Sequence, residues 1–255
     1  MNYIREESVF RPNDYLQSCL LQKESIPASH SLPSKCILGF FPQAYSILKQ
    51  KYDAQIIKTF HTTHPLATFD YETERFIYVY PGLGAPMAAM ILDELISLGV
   101  EIFLFVGPAG ILSHSIKKNH VILIESALID EGTSQHYVNV NEFAYSSQKL
   151  TQKLATFFDV NKIGKHTAAT WTTDAPYRET PGKIENALSR GCLTVDMEAS
   201  ALMSVASRYQ KQITGFFVPQ DKVTLNGWSR SLPHSHAFNI KEILDLALQF
   251  LLSLP

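Results

Sequence analysis

The amino-acid sequence predicts a single α/β domain, with a central mixed β-sheet flanked by helices. Short apolar segments with strand character alternate with segments in which apolar residues recur at helical spacing. Of the 255 residues, 45% are hydrophobic and 18% are charged, so the chain can bury a sizeable core. The sequence shows no linker, internal repeat or low-complexity segment. We therefore expect one domain over residues 35–255, preceded by a surface arm over residues 1–34.

The first half of the domain is predicted to contain four strands and two helices. The second helix has Met87, Ile91 and Leu95 at helical spacing, and Gly99 is expected to end it. A glycine-containing turn, Pro81–Pro86, precedes that helix. The predicted elements are strand Cys36–Phe41, helix Gln43–Lys51, strands Ala54–Phe60 and Phe76–Tyr80, helix Met87–Leu98 and strand Ile102–Val106.

The second half continues the alternation of strands and helices. Its predicted elements are strands Val121–Ile124 and Ala127–Ile129, helix Glu142–Phe158, strand Ala168–Thr172, helix Pro181–Ser189, strand Cys192–Val195, helix Glu198–Tyr209, strand Ile213–Val218 and helix Asn239–Leu252. This order indicates a largely parallel or mixed sheet that is covered by helices on both faces. Functional sites in such folds lie at the carboxyl ends of the strands.

Composition argues against several classes of partner and location. The formal net charge of −2 gives no electrostatic footprint for nucleic acid or an anionic membrane. No apolar run approaches the roughly 20 residues of a membrane span, and the polar N-terminus does not resemble a secretory signal. The cysteines, Cys19, Cys36 and Cys192, are few and widely spaced. They fit a reducing compartment and do not resemble a zinc site, so we expect a cytoplasmic protein without a metal.

Several loops follow apolar strands and could form one pocket if the strands converge. These segments are Pro81–Pro86, Gly107–Gly110, Trp171–Tyr177, Asp196–Glu198 and Gln220–Lys222. Small residues at 107–110 would let backbone N–H groups approach an anion closely, although tight packing explains such a turn more often.

The stretch from Asp196 to Glu198 places two acids around a methionine where a strand meets a helix. Acids in the first turn of a helix favour its dipole, so either acid could simply be a cap. A carboxylate can also accept two hydroxyl hydrogen bonds, which is the pattern that a ribose diol offers. The thioether of Met197 would supply a polarizable apolar contact for the sugar face.

Six segments, taken together, resemble the nucleoside phosphorylase superfamily, which includes uridine phosphorylase, hexameric bacterial purine nucleoside phosphorylase and methylthioadenosine nucleosidase. In order, over about residues 36–250, they are GLGAPMAAMILDELISLGV, FVGPAG, ALIDEGTSQHY, TTDAPY, VDMEASALMSVA and VPQDKV. The resemblance implies that Met197 and Glu198 hold the ribose and that Asp196 supports them. It also implies that Asp221 is the acid near the base N7, because a departing purine gains negative charge. Taken alone, Asp221 would be interpreted as a solvated loop acid.

The same resemblance implies contacts to the base and to phosphate. Pro176 and Tyr177 fall where the family contacts the base, although a core tyrosine is an equal alternative. Phosphate would bind backbone groups near Gly84 and at Gly107, Ala109 and Gly110. Arg178 is the leading basic candidate at that site, and a surface ion pair is its competing interpretation.

The sequence departs from the family at the expected anion site. Phe105 stands where phosphorolytic members usually carry an arginine, and Pro108 stands where they carry a hydroxyl residue. The turn from Gly39 to Ala44 lacks both their second arginine and the glutamate with which hydrolytic members activate water. Without both arginines, most of the charge-assisted hydrogen bonds to a phosphate dianion are lost. The basic residues that could substitute are His61, His64, His136 and Arg230, and Arg230 or His234 could assist the acid.

These observations predict an enzyme that cleaves a nucleoside N-glycosidic bond with phosphate, giving free base and pentose 1-phosphate. Phosphate would be the co-substrate, and no other cofactor is implied. Two alternatives stay open: a nucleosidase that uses water, and a nucleoside-binding protein without catalytic activity. The resemblance also implies a homo-oligomer, and neither nucleic acid nor a membrane is an expected partner.

Overall fold

The structure is a computed structural model that describes residues 7–9, 11–14, 32–57, 65–117, 119–139, 142–229 and 238–255. Most of the predicted arm over residues 1–34 lies outside these ranges, so the division into arm and domain stays a prediction. None of the helices in the described ranges has the length and apolar character needed to span a membrane.

Eleven strands and six α-helices are formed by the described residues. The strands are β1 (Lys35–Gly39), β2 (Gln55–Ile57), β3 (Leu66–Tyr71), β4 (Glu74–Val79), β5 (Ile102–Ile111), β6 (Val121–Asp130), β7 (Phe143–Tyr145), β8 (Lys165–Thr173), β9 (Cys192–Asp196), β10 (Gln212–Thr224) and β11 (Gly227–Ser229). The helices are α1 (Ala44–Tyr52), α2 (Ala85–Ser97), α3 (Gln148–Val160), α4 (Pro181–Ser189), α5 (Ala199–Arg208) and α6 (Ile240–Leu252). Short 3-10 helices occur at Ser134–His136 and Pro176–Arg178.

The strands form one mixed sheet, part of which closes on itself. Strand β10 pairs in parallel with β5 and antiparallel with β6. Strands β6, β8 and β9 then pair in parallel, and the end of β9 returns antiparallel to the end of β5. The five strands β5, β10, β6, β8 and β9 therefore make a closed ring. Strands β1, β4, β3 and β2 extend from β5 as an open sheet.

Helices cover both faces of the sheet, as the alternating sequence pattern predicts. On one face, α2 and α5 pack onto the sheet through buried side chains such as Leu92 and Leu202. On the other face, α1, α3 and α6 contribute Leu48, Leu154 and Leu248. Helix α4 packs over a smaller cluster around Trp171. The predicted α/β fold with a central mixed sheet is confirmed.

Some predicted boundaries are wrong for identifiable physical reasons. The two strands predicted over 121–129 are one strand, β6, because a bulge at Glu125 interrupts their apolar pattern. The helix predicted from Glu142 begins at Gln148, because Phe143–Tyr145 pairs with β6 instead. Strand β3 was not predicted. It pairs with β4 through a tight turn at Glu72, whose φ of 53° is left-handed.

Strand β10 is longer than the sequence pattern predicts. The prediction ended this strand at Val218, the last residue of the apolar segment. The structure accommodates Pro219 with a bulge between Pro219 and Asp221, after which pairing with β5 resumes. The strand then continues to Thr224 and turns back into β11. Asp221 therefore lies within a strand, and its interpretation as a loop acid is wrong.

Candidate active site

A cavity of about 900 Å³ lies at the carboxyl ends of β1, β4, β8 and β9 and along the outer part of β10. Its position is the one expected for a site in an α/β fold. Among the described residues, its lining comprises Phe40, Tyr80, Gly82, Leu83, Pro108, Ala109, Gly110, Pro176, Tyr177, Glu179, Pro181, Ile184, Val195, Asp196, Met197, Glu198, Phe217, Gln220, Asp221, Val223, Thr224, Leu225, Gly227 and Trp228. All five segments predicted to converge contribute residues to this lining. Two of them are not loops, because Gly107–Gly110 lies within β5, which extends past Val106, and Gln220–Lys222 lies within β10.

Glu198 presents a buried carboxylate at the cavity wall. It is the N-cap residue of α5, and only 7% of its surface is exposed. The backbone N–H of Gly84 donates to its Oε1 over 2.6 Å, and Gly84 adopts a φ of 96°, which favours glycine. Burial, reinforced by the charge of Asp196, raises the pKa of Glu198 to about 8. This pKa favours the protonated form of the carboxyl group at neutral pH.

Asp196 also lines the cavity, but its carboxylate is fully engaged within the fold. The hydroxyls of Thr170 and Thr172 donate to it over 2.7 and 3.1 Å. The backbone N–H groups of Glu198 and Ala199 donate to its Oδ1 over 2.8 and 2.7 Å. Burial raises the pKa of Asp196, and these donors oppose that effect. Asp196 thus joins β8, β9 and the start of α5, and it holds Glu198 in place.

Asp221 extends into the cavity from β10 and is held by the neighbouring strand. The indole N–H of Trp228, on β11, donates to Asp221 Oδ2 over 2.6 Å. Asp221 is paired in the sheet with Gly110 of β5. A Cβ atom at Gly110 would lie 2.9 Å from Val195 Cγ1 and 3.5 Å from Asp221 Oδ1. The absence of a side chain at Gly110 therefore gives Val195 room to pack close to Asp221.

Glu179 is a fourth acid in the cavity, and the sequence analysis missed it. It follows the 3-10 helix Pro176–Arg178 and is half-buried. Burial, together with the charge of Asp221, raises the pKa of Glu179 to about 7. Its position directly after the segment predicted to contact the base was the available signal. Only the fold shows that Glu179 lies close to Asp221.

Most of the residues predicted for the site line this cavity. Met197 and Glu198 do so with Asp221, as do Ala109, Gly110, Pro176 and Tyr177. Tyr177 is 99% exposed, so its interpretation as a core tyrosine is wrong.

Three predicted phosphate contacts, Gly84, Gly107 and Arg178, are not among the described residues that line the cavity. The N–H of Gly84 is donated to Glu198. A Cβ atom at Gly107 would lie 2.8 Å from Phe40 Cβ, so this glycine allows close packing behind the wall. Arg178 is exposed beside the cavity.

The described lining is acidic. It contains the carboxyl groups of Glu179, Asp196, Glu198 and Asp221, and no lysine, arginine or histidine among the residues that the structure describes. The basic candidates His61, His64, Arg230 and His234 lie outside the described ranges. His136 is described, and it belongs to the 3-10 helix Ser134–His136, away from the lining.

Known proteins share both the sequence pattern and the fold. A family model described as the phosphorylase superfamily matches residues 34–241. A DeoD-type purine nucleoside phosphorylase from Brevibacillus brevis is 25% identical over 183 residues, which cover 71% of this chain and 77% of that protein. A guanosine phosphorylase from Halorubrum lacusprofundi is 28% identical over 127 residues. That match covers 50% of this chain and about half, 53%, of the relative.

Among solved structures, the AMP nucleosidase from Bacteroides thetaiotaomicron VPI-5482 has the same fold. It superimposes with a TM-score of 0.74, covering 95% of this chain and 96% of that one, at 18% sequence identity. The family model matches residues 34–241, and this range includes all the described residues that line the cavity, from Phe40 to Trp228. The chain therefore belongs to the phosphorylase superfamily.

Proposed function

We propose that the chain cleaves the N-glycosidic bond of a nucleoside. The observation that carries this proposal is that Glu198 and Asp221 line one cavity together with Met197. These are the acids expected for the sugar and for the base. The homologues named purine nucleoside phosphorylase and guanosine phosphorylase support the same general chemistry.

In the proposed complex, Glu198 binds the ribose. An ionised carboxylate accepts hydrogen bonds from two neighbouring hydroxyls, and Met197 contacts the apolar face of the sugar. Because Glu198 is protonated at neutral pH without ligand, binding of the diol is coupled to release of that proton. Gly84 occupies one lone pair of Oε1 and fixes the direction of the others.

Bond cleavage needs a proton for the departing base. As the bond between the base nitrogen and C1′ breaks, its electron pair moves into the base. In a purine, N7 then accepts a proton from Asp221, which becomes a carboxylate. An oxygen nucleophile forms the new bond at C1′. Pro176 and Tyr177 are placed in this proposal against the base.

The nucleophile in our first proposal is phosphate, with pentose 1-phosphate as product and no further cofactor. Of the predicted phosphate contacts, Ala109 and Gly110 line the cavity, as residues of β5 that pair with β10. Gly84 and Gly107 are not among the described lining residues, and the exposed side chain of Arg178 would have to turn inward.

Hydrolysis is the second candidate, and the acidic lining favours it. A dianion placed among Glu179, Glu198 and Asp221 would be repelled wherever these groups are ionised. Water carries no such penalty. Glu179, with a pKa of about 7, is suited to accept a proton from that water at neutral pH.

The decisive experiment is a panel of purine and pyrimidine nucleosides incubated with and without phosphate, with free base and pentose 1-phosphate measured by chromatography. Phosphorolysis predicts base release that depends on phosphate, and hydrolysis predicts release without it. The Asp221→Asn variant should cleave purine nucleosides about 10²–10⁴-fold more slowly at similar affinity, because the proton is transferred only in the transition state. If the wild type releases no base under either condition, the chain is a nucleoside-binding protein and the catalytic proposal fails.

Assembly and location are proposed from the same family membership. We expect a homo-oligomer in the cytoplasm. Sedimentation should therefore give a multiple of the 28.7 kDa chain mass. A purely monomeric protein would contradict the proposed assembly.

A further inference from the structure

The hairpin formed by β10 and β11 places Asp221 and Trp228 on the same face. Trp228 pairs directly with Val223, and Asp221 precedes Val223 by two residues. Residues two apart on a strand share a face, and aromatic side chains can reach a diagonal neighbour across an antiparallel pair. Asp221, Val223 and Trp228 all line the cavity, so this is the inner face of the hairpin.

The hydrogen bond between these two side chains distinguishes the two carboxylate oxygens of Asp221. The indole N–H is a donor only, so Oδ2, at 2.6 Å, must act as the acceptor. The other oxygen, Oδ1, takes no part in this contact. That oxygen lies 3.5 Å from the point where a side chain at Gly110 would begin. Gly110 also lines the cavity, so Oδ1 lies beside a lining residue that has no side chain.

Packing does not explain the placement of Trp228. Its side chain is 64% exposed, whereas the other tryptophan, Trp171, is 1% exposed in the core. An indole that served the fold would be expected to bury most of its large apolar surface. The polar end of Trp228 instead reaches a carboxylate at the cavity.

We propose that Trp228 is a positioning residue for Asp221. By holding Oδ2, its N–H fixes the orientation of the Asp221 carboxyl group and leaves Oδ1 to act on the base. This inference rests on the proposed function, since it concerns delivery of the proton to the departing base. During the step, the Oδ1–H bond breaks as the bond from hydrogen to the base nitrogen forms. Asp221 gains negative charge, so the hydrogen bond from Trp228 strengthens in the transition state.

The variant Trp228→Phe tests the inference because it keeps an aromatic ring and removes only the donor. We expect kcat for a purine nucleoside to fall about 10-fold, with KM changed less than about twofold. In the Asp221→Asn background the same substitution should have no further effect on kcat, because Trp228 acts through the acid. An undiminished kcat, or an equal loss in both backgrounds, would overturn the inference.

Trp171→Phe is the matched control. It removes an indole N–H that donates to an aspartate, Asp130 Oδ2 at 3.0 Å, outside the cavity lining. We expect this variant to lower thermal stability and to leave kcat unchanged.

NMR spectroscopy can detect the hydrogen bond between Trp228 and Asp221 independently of catalytic activity. The chain has two tryptophans, so an N–H correlation NMR spectrum has two indole signals, which Trp228→Phe assigns. Asp221→Asn should shift the Trp228 signal and leave that of Trp171 in place. If neither signal moves, the hydrogen bond is absent and the inference fails even in an active enzyme. If the wild type cleaves no nucleoside, the proposed function fails and the inference fails with it, whatever the spectrum shows.

Discussion

At the scale of single residues, Asp196 and Glu198 are two acids with opposite surroundings only two positions apart. Four donor groups of the protein bind the carboxylate of Asp196, whereas the Glu198 carboxylate accepts from the backbone N–H of Gly84. The first acid therefore fixes the junction of strand and helix, and the second keeps acceptor capacity for a ligand.

Replacing Glu198 by Gln should weaken nucleoside binding by about 1–3 kcal/mol, through loss of a charge-assisted acceptor. Since the pKa of Glu198 is about 8 and the ionised form accepts two hydroxyls, wild-type affinity should rise as pH increases toward 8. The variant should lose that pH dependence. Titration calorimetry from about pH 6 to pH 9 measures both effects. Glu185→Gln, at an exposed position on α4, is the control, and unchanged affinity in a folded Glu198→Gln variant would refute the ribose assignment.

The sequence could identify Met197, Glu198 and Asp221 because each belongs to a recognisable motif. It could not identify Glu179 or Trp228. Glu179 matters because the fold brings it near Asp221, which is 42 positions later in the printed sequence. Trp228 matters because of a hairpin that the apolar pattern did not predict.

At the scale of secondary structure, strands β1 and β4 pack so closely that there is no room for a side chain at Gly39. A Cβ atom there would overlap the ring of Tyr78 on β4. That ring cannot move aside, because its hydroxyl donates to the carbonyls of Gly39 at 3.0 Å and Phe41 at 2.7 Å, and the residue is fully buried. This packing fixes the path of the chain from β1 to Phe40 at the cavity wall.

Gly39→Ala should therefore destabilise the fold by about 1–3 kcal/mol, the usual cost of overpacking a core. The matched control is Gly182→Ala. Gly182 lies in α4, and a Cβ atom there would meet nothing within 4 Å. That substitution should be neutral or stabilise the protein by up to about 1 kcal/mol. Urea unfolding of both variants measures the difference, and equal stabilities would contradict this account of Gly39.

Some predicted boundaries of strands and helices are wrong because they followed the local residue pattern, whereas pairing with another strand sets the observed boundary. The apolar segment ended at Val218, yet a bulge carries β10 past Pro219 to Thr224. Glu142–Phe158 had helical composition throughout, yet Phe143–Tyr145 gains ladder hydrogen bonds from β6. Hydrophobic periodicity and composition depend only on the residues of one segment. Strand pairing also depends on other strands that are distant in sequence.

At the scale of the whole molecule, burial of carboxyl groups couples the fold to pH. Glu94 on α2 is 5% exposed, and burial, with the charge of Asp93, raises its pKa to about 7. Glu179 and Glu198 have pKa values of about 7 and 8 for the same principal reason. Between the unfolded value near 4.5 and these folded values, the native state binds more protons than the unfolded chain does. Stability must therefore fall as pH rises through that window.

Urea unfolding should show the free energy of unfolding decreasing by a few kcal/mol between about pH 5 and pH 8. Glu94→Gln should make the decline shallower and should raise stability at pH 8, because a neutral amide replaces a buried charge. Nucleoside binding should be unaffected, since Glu94 is not part of the cavity lining. A stability that rises over this range, or an unchanged slope in the variant, would contradict the effect of burial.

The closed ring of five strands has a consequence for the order of events during folding. The cavity walls come from chain positions between Phe40 and Trp228, and the ring closes only when the end of β9 meets the end of β5. Contacts so distant in sequence carry a large loop-closure cost, and they form late when they depend on other pairings. A nucleoside that requires the complete cavity can therefore bind only near the end of refolding. Its binding would report the final step rather than the early collapse of the chain.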